Sequence, residues 1–208
     1  MTTEQMLERG LQLLGLALPG DASDQLLAYL SLLEKWNRTY NLTAIRDPQK
    51  MVSHHLLDSL AVLSELPPGA LADVGAGAGL PGIPIAIVEP DRAVTLNDAS
   101  DKKCAFLRQA AIELRLGNVR VQPGRVEHWH PAQRFEVVIC RGFAELGNFI
   151  ALCRHLISAS GVVVAMKGAY PAQELWQLPA GWNCGDVREL HVPLLDAARH
   201  LVICRRTG

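Results

Sequence analysis

Apolar side chains recur at Leu26, Leu30, Leu33 and Trp36, and again at Val52, Leu56, Leu60 and Leu63. Steps of three and four place each set on one face, so two amphipathic helices are predicted. Between them the polar stretch 37–47 reads as a loop, and Pro48 suits the first turn of the following helix. Pro67-Pro68-Gly69 then punctuates the chain. Beyond it the period changes. Short apolar runs at 70–74, 93–96, 119–122, 135–140 and 161–166 alternate with helical patterns near 82–89, 101–116, 143–157 and 171–177. Val137-Val138-Ile139-Cys140 and Val162-Val163-Val164-Ala165 are apolar throughout, as strands covered on both faces must be. The alternation predicts an α/β fold with a parallel sheet. Two last apolar pieces, 187–192 and 201–204, have no helical pattern between them and are expected to close the sheet as an antiparallel pair. The expected organisation is a helical extension over 1–66 and one compact sheet domain over 67–208, with no internal repeat.

The 208 residues, 49% of them apolar, can bury one good core. The polar, acidic start and the lack of a membrane-length apolar run point to a cytoplasmic protein. Cysteines at 104, 140, 153, 184 and 204 show no Cys-x-x-Cys spacing, so neither a disulfide framework nor a zinc knuckle is expected, and most read as small buried hydrophobes. The net charge of −1 argues against a general nucleic-acid coat protein. It conceals an asymmetry: residues 1–66 carry 5 Lys/Arg against 8 Asp/Glu, and residues 67–208 carry 15 against 13. Phosphate contacts must come from a local cluster.

The first predicted strand runs into Asp73-Val74-Gly75-Ala76-Gly77-Ala78-Gly79-Leu80-Pro81-Gly82-Ile83-Pro84, with GxGxxG at Gly77, Gly79 and Gly82. A glycine turn between strand and helix lets a ligand approach the backbone closely, although such turns also serve tight packing. Asp98, 21 residues after Gly77, stands where an acid can hold ribose hydroxyls, or where it could cap the next helix. Asp73 favours one ligand class over another. A carboxylate beside the first glycine would repel a pyrophosphate but suits the ammonium and sulfonium of S-adenosylmethionine. Pro81 and Pro84 also remove potential phosphate donors.

After the fourth strand come Arg141-Gly142-Phe143, and Lys167 follows the fifth. No Asn/Asp-Pro-Pro-Tyr is present to receive an exocyclic amine, and Cys140 ends an apolar strand, which reads as core rather than nucleophile. The two cations could bind phosphate, orient a base by its carbonyl, or simply be solvated. Guanine N7 has a lone pair and no proton, so its methylation would need alignment and no general base.

Lys35-Trp36-Asn37-Arg38-Thr39-Tyr40-Asn41-Leu42-Thr43, His55-Leu56-Leu57-Asp58-Ser59, the glycine loop, Arg125-Val126-Glu127, Arg141-Gly142-Phe143-Ala144, Lys167-Gly168 and Arg199-His200-Leu201 together resemble the ribosomal RNA small-subunit methyltransferase G family, also called glucose-inhibited division protein B. The resemblance covers nearly the whole chain. It implies a Rossmann-like class I S-adenosylmethionine-dependent methyltransferase, with a mostly parallel seven-stranded sheet and an N-terminal helical extension. The implied reaction is N7 methylation of one guanosine in the 530-loop region of 16S rRNA, in the small subunit or an assembly intermediate, by a monomer without metal. By position, Asp73, Gly75, Gly77, Gly79, Leu80, Asp98, Val126, Glu127 and Arg141 would border the donor. Arg141, Lys167 and Arg199 would be the cations of the reaction site, with Asn41, His55, Asp58, Arg125 and His200 facing the RNA. Asn97 departs from the family's usual apolar residue and Gly142 from its common Ala.

Several residues have plainer readings. Trp36 and Tyr40 suit the core, and His55 and Asp58, at i and i+3, could be a surface or structural pair. His128 and His130 lack a third metal ligand. A nicotinamide-dependent oxidoreductase, favoured by GxGxxG and opposed by Asp73, and a non-catalytic RNA-binding assembly factor are the competing classes.

Overall fold

Strand β1 (Leu71–Val74) is buried at every position because it lies between two parallel neighbours and beneath helices on both faces. In this computed structural model, which describes residues 1–207, the other strands are β2 (Val94–Asp98), β3 (Val119–Pro123), β4 (Phe135–Arg141), β5 (Ile157–Lys167), β6 (Trp182–Glu189) and β7 (His200–Arg206). Gly208, the end of the expected second span, lies outside the described residues. The order is β3-β2-β1-β4-β5-β7-β6, with β7 antiparallel to both β5 and β6. The chain winds outward from β1 in one direction and returns through β4 in the other. A crevice therefore opens where the carboxyl ends of β1 and β4 diverge.

The helices, in chain order, are α1 (Thr3–Leu14), α2 (Ala22–Tyr40), α3 (Pro48–Met51), α4 (Asp58–Leu60), α5 (Gly82–Val88), α6 (Asp101–Glu113), α7 (Leu146–Cys153) and the single turn α8 (Ala172–Leu175). α1 was not predicted. Thr2 and Gln5 form its capping box, and Gly15 ends it in the left-handed region. α3 starts on Pro48 as expected, with the Asp47 carboxylate accepting from the Gln49 N–H. Between α3 and α4 the chain is π-helical over Val52–Leu57. This whole stretch is sunk in the protein: besides the predicted stripe Val52, Leu56 and Leu60, His55, Asp58 and Ser59 are buried.

Strand alternation divides the core. Leu71, Val137, Ile139, Val162, Val164 and Leu201 point to the face covered by α1, α2, the π-helical stretch, α5 and α6. Ala72, Val74, Val138, Val163 and Ala165 point to the other, where α7 brings Leu146, Phe149 and Ile150. Asp73 and Arg141 share the parity of the first set and Lys167 that of the second. Trp36 packs its ring edge against Phe106 of α6, the core role read from its stripe.

Two expectations need correcting. The sixth strand runs over Trp182–Glu189, several residues before the predicted piece, because its exposed edge alternates too weakly to mark its ends. A disulfide joins Cys184 to Cys204, 20 residues apart, against the expectation that none would form. Sequence spacing does not reveal which residues two antiparallel strands bring face to face. The other three cysteines are free and buried.

Candidate active site

The glycine loop folds back on itself. The N–H of Ala76 donates to the Asn97 carbonyl, those of Gly79 and Leu80 to the Ala76 carbonyl, and that of Ile83 to the Gly79 carbonyl. Gly77 N–H donates to Asp98 Oδ2 at 2.9 Å and Gly82 N–H to Asp73 Oδ2 at 2.8 Å. Six amides that a diphosphate would need are thus engaged within the protein. A buried hydroxyl from the extension adds to the frame, Tyr29 donating to the Ala78 carbonyl at 2.6 Å. Burial pushes the Tyr29 phenol far up, so it remains a donor. The sequence reading missed Tyr29.

Asp73, Gly79 and Leu80, expected beside the donor, are drawn into the packing of the loop itself. Asp73 is fully buried under α5, its Oδ1 without a partner, and desolvation raises its pKa to about 7. Strand parity turns it toward α5, where it supports the loop by accepting from the Gly82 N–H. Gly79, with φ of 85°, packs against Ile83, and Leu80 is buried in the core.

At the carboxyl edge of β1 and β2 lies a cavity of about 450 Å³ lined by Gly75, Asp98, Arg125, Val126 and Glu127, all expected ligand neighbours, and by Lys103 and Phe143, which were not. Gly77 adjoins it through its bond to Asp98. Asp98 Oδ1 accepts from the Ser100 N–H, so the acid forms an Asx turn before α6 and does not cap that helix with its side chain. Asn97 uses its amide to hold the Gln122 and Gly124 carbonyls, which fixes the cavity's far wall. Arg125, expected to face the RNA, lines this cavity and pairs with Glu127 at 2.7 Å. Glu127 is shifted below the usual carboxylate range by its own backbone N–H and by Arg125. A Cβ at Gly75 would meet the Phe143 ring at 2.3 Å, so the glycine is required by close approach as well as by its φ of 69°.

A second cleft, of about 360 Å³, gathers His55, Asp58, Arg141, Lys167 and Arg199, five residues drawn from four separate parts of the chain. Asp58 is 2% exposed and bridges two guanidiniums: Arg141 Nη1 donates to its Oδ2 and Arg199 Nε to its Oδ1, each at 2.8 Å. Arg141 Nη1 also donates to the His54 carbonyl at 2.9 Å. Asp58 is therefore paired with the arginines and not with His55. His55 Nε2 meets Thr43 Oγ1 at 3.0 Å, and burial followed by Arg141 lowers its pKa to about 4, so it is neutral near pH 7. Lys167, on the opposite parity, donates to the Glu174 carboxylate at 2.7 Å and to the Ala144 carbonyl at 3.1 Å. Asn41 and His200 lie outside this cleft. The former accepts from Arg46, and the latter stacks edge-on against Tyr170 with Nδ1 on the Gly168 carbonyl.

The two cavities share one residue, Gly142, directly after β4. Arg141, expected beside both donor and substrate, borders the second cavity and adjoins the first through this neighbour. Among the described residues no cluster of three or more His, Cys, Asp or Glu side chains is placed to hold a metal, and no helix is long and apolar enough to cross a membrane.

Comparison with known proteins matches residues 22–202 to the family described as rRNA small subunit methyltransferase G. The chain belongs to this family. Ribosomal RNA small subunit methyltransferase G of Methylobacillus flagellatus is 51% identical over 199 residues, covering 96% of each chain. The Neisseria gonorrhoeae protein of the same name is 51% identical over 205 residues, covering 98% of each. Among solved structures, the glycopeptide N-methyltransferase MtfA complexed with S-adenosyl-L-methionine aligns with a TM-score of 0.64 at 12% identity, covering 74% of this chain and 88% of that one. The ribosomal protein L11 methylase of Lactobacillus delbrueckii subsp. bulgaricus aligns at 0.55 and 16% identity, covering 78% and 80%. At such identities the shared feature is the class I methyltransferase fold.

Proposed function

We propose that this chain transfers the methyl group of S-adenosylmethionine to N7 of one guanosine in the 530-loop region of 16S rRNA. The observation that carries the reading is the meeting at Gly142 of a charge-balanced cavity and a cation-rich cleft. The first cavity suits the donor: Asp98 offers acceptors for ribose hydroxyls, Val126 an apolar wall for adenine, and the engaged loop amides leave little for a diphosphate. When bound, S-adenosylmethionine supplies a methyl group activated by a positively charged sulfur.

The chain's own residues have three tasks. Gly75 and Phe143 shape the passage, Asp58 locks Arg141 and Arg199, and these cations with Lys167 receive the RNA. N7 bears no proton, so no base is required, and alignment provides the acceleration. The proposed partner is the small ribosomal subunit or its precursor, met by a monomer in the cytoplasm.

The test incubates small subunits lacking the modification with methyl-labelled donor and maps the label by mass spectrometry. One 7-methylguanosine in the 530-loop region is expected. No label, or label on another atom, would overturn the assignment. Calorimetry with S-adenosylmethionine and with NAD separates the nicotinamide alternative, for which binding of NAD alone is the deciding result.

A further inference from the structure

We propose that Arg141 is the residue that selects guanine, by donating to O6 on the edge that carries N7. The inference rests on the N7-guanine reading above and adds how the base is chosen. The charged side chains lining the cleft are three cations and one carboxylate. Both oxygens of that carboxylate are held by guanidiniums, and Asp58 is almost wholly buried. The cleft therefore offers no free carboxylate to guanine's N1–H and 2-amino donors. Its unengaged charge consists of donors, which match acceptors.

Guanine presents two adjacent acceptors, O6 and N7, where adenine has an amino group beside N7. An arginine commonly takes both guanine acceptors at once. Here N7 must remain bare to accept the methyl group, which leaves O6. Arg141 is placed for this by sequence and by pairing: it precedes Gly142, the residue shared by both cavities. Its Nη1 is fixed by Asp58 and by the His54 carbonyl, and its Nη2 has no partner among the described residues. Arg199 shares the carboxylate but lies just before β7 and lines only the cleft, with no sequence neighbour in the first cavity. A donor fixed on one side and free on the other costs little to order when the base arrives. An adenine would set its amino group against this cation.

Small subunits reconstituted with 16S rRNA carrying guanosine, inosine, 2-aminopurine riboside or 7-deazaguanosine at the methylated position provide the test. Inosine keeps O6 and N7 and loses the 2-amino group. 2-Aminopurine keeps N7 and the amine and loses O6. With the wild-type protein, single-turnover rates for inosine are expected within about threefold of guanosine, and those for 2-aminopurine lower by about 100-fold. The two bases differ in intrinsic reactivity, so Arg141→Ala supplies the control. If Arg141 reads O6, the guanosine to 2-aminopurine ratio falls in the variant toward that set by intrinsic reactivity; a merely structural role would lower both rates and preserve the ratio. Rejection of inosine, equal use of 2-aminopurine, or an unchanged ratio in Arg141→Ala would each overturn the proposal. Failure of the parent reading looks different: the guanosine subunit would take no label, or the 7-deaza subunit would be methylated. As a readout independent of turnover, subunits with 7-deazaguanosine should compete for the protein better than those with 2-aminopurine.

Discussion

Arg141 Nη1 and Asp58 Oδ2 stand 2.8 Å apart although 83 residues separate them, and this contact pins the end of β4 to the helical extension. Asp58→Asn removes the charge that balances two guanidiniums, each about four-fifths buried. Allowing for their partial exposure, a loss of about 2 kcal/mol in urea denaturation is expected. Methyl transfer should fall further than donor affinity, since the donor cavity does not include Asp58.

Tyr29→Phe deletes a hydroxyl whose only role is to hold the Ala78 carbonyl from across the extension. A cost of about 1–2 kcal/mol is expected from the carbonyl left buried and unpaired. The same variant should weaken S-adenosylmethionine binding by calorimetry, because the loop it braces carries Gly75.

Asp73 gives a pH dependence with a definite sign. Its folded pKa of about 7 lies above the ordinary 3.8, so between these values the folded chain holds a proton that the unfolded chain has released. Stability from this group is present at low pH and lost as pH rises toward 7. Asp73→Asn mimics the protonated form and keeps an acceptor for Gly82. Its advantage over wild type in the ligand-free protein should grow from pH 5 to pH 8, to at most about 4 kcal/mol. His55, lowered to about 4, works in the opposite direction, losing stability as pH falls from about 6.5, but is common to both proteins and cancels in the comparison.

Asp98→Ala removes the acceptor for Gly77 N–H and for Ser100 N–H together. Donor affinity is expected to drop by at least about tenfold. Wild-type affinity in this variant would remove Asp98 from the donor site.

Much of the architecture was legible because strands covered on both faces leave unbroken apolar runs, as at Val137–Cys140 and Val162–Ala165, and because Pro48 and the glycine loop mark turns sharply. The cations Arg141 and Lys167 were legible as strand-end charges, and Arg199 through the family resemblance. What they touch was not. Asp58 sat in a helix read as amphipathic, and nothing local tells that its polar side is roofed by β4 and β7. Period-two counting could have turned Asp73 beneath α5, since the strand residues flanking it were already identified. Tyr29 offered one signal: an aromatic hydroxyl one turn from a leucine stripe needs an acceptor when buried. The Cys184–Cys204 pairing depended on strand register, which only the fold supplies.

The inward-turned amides of the glycine loop separate two kinds of attraction that most nucleotide-handling proteins mix. Capture of the methyl donor, governed by shape and by a pocket with equal numbers of opposite charges, should hardly notice added potassium chloride. Capture of 16S rRNA, governed by a counterion atmosphere, should decline steeply with it. One titration with salt would then peel the nucleic acid from the protein while the small molecule stays in place.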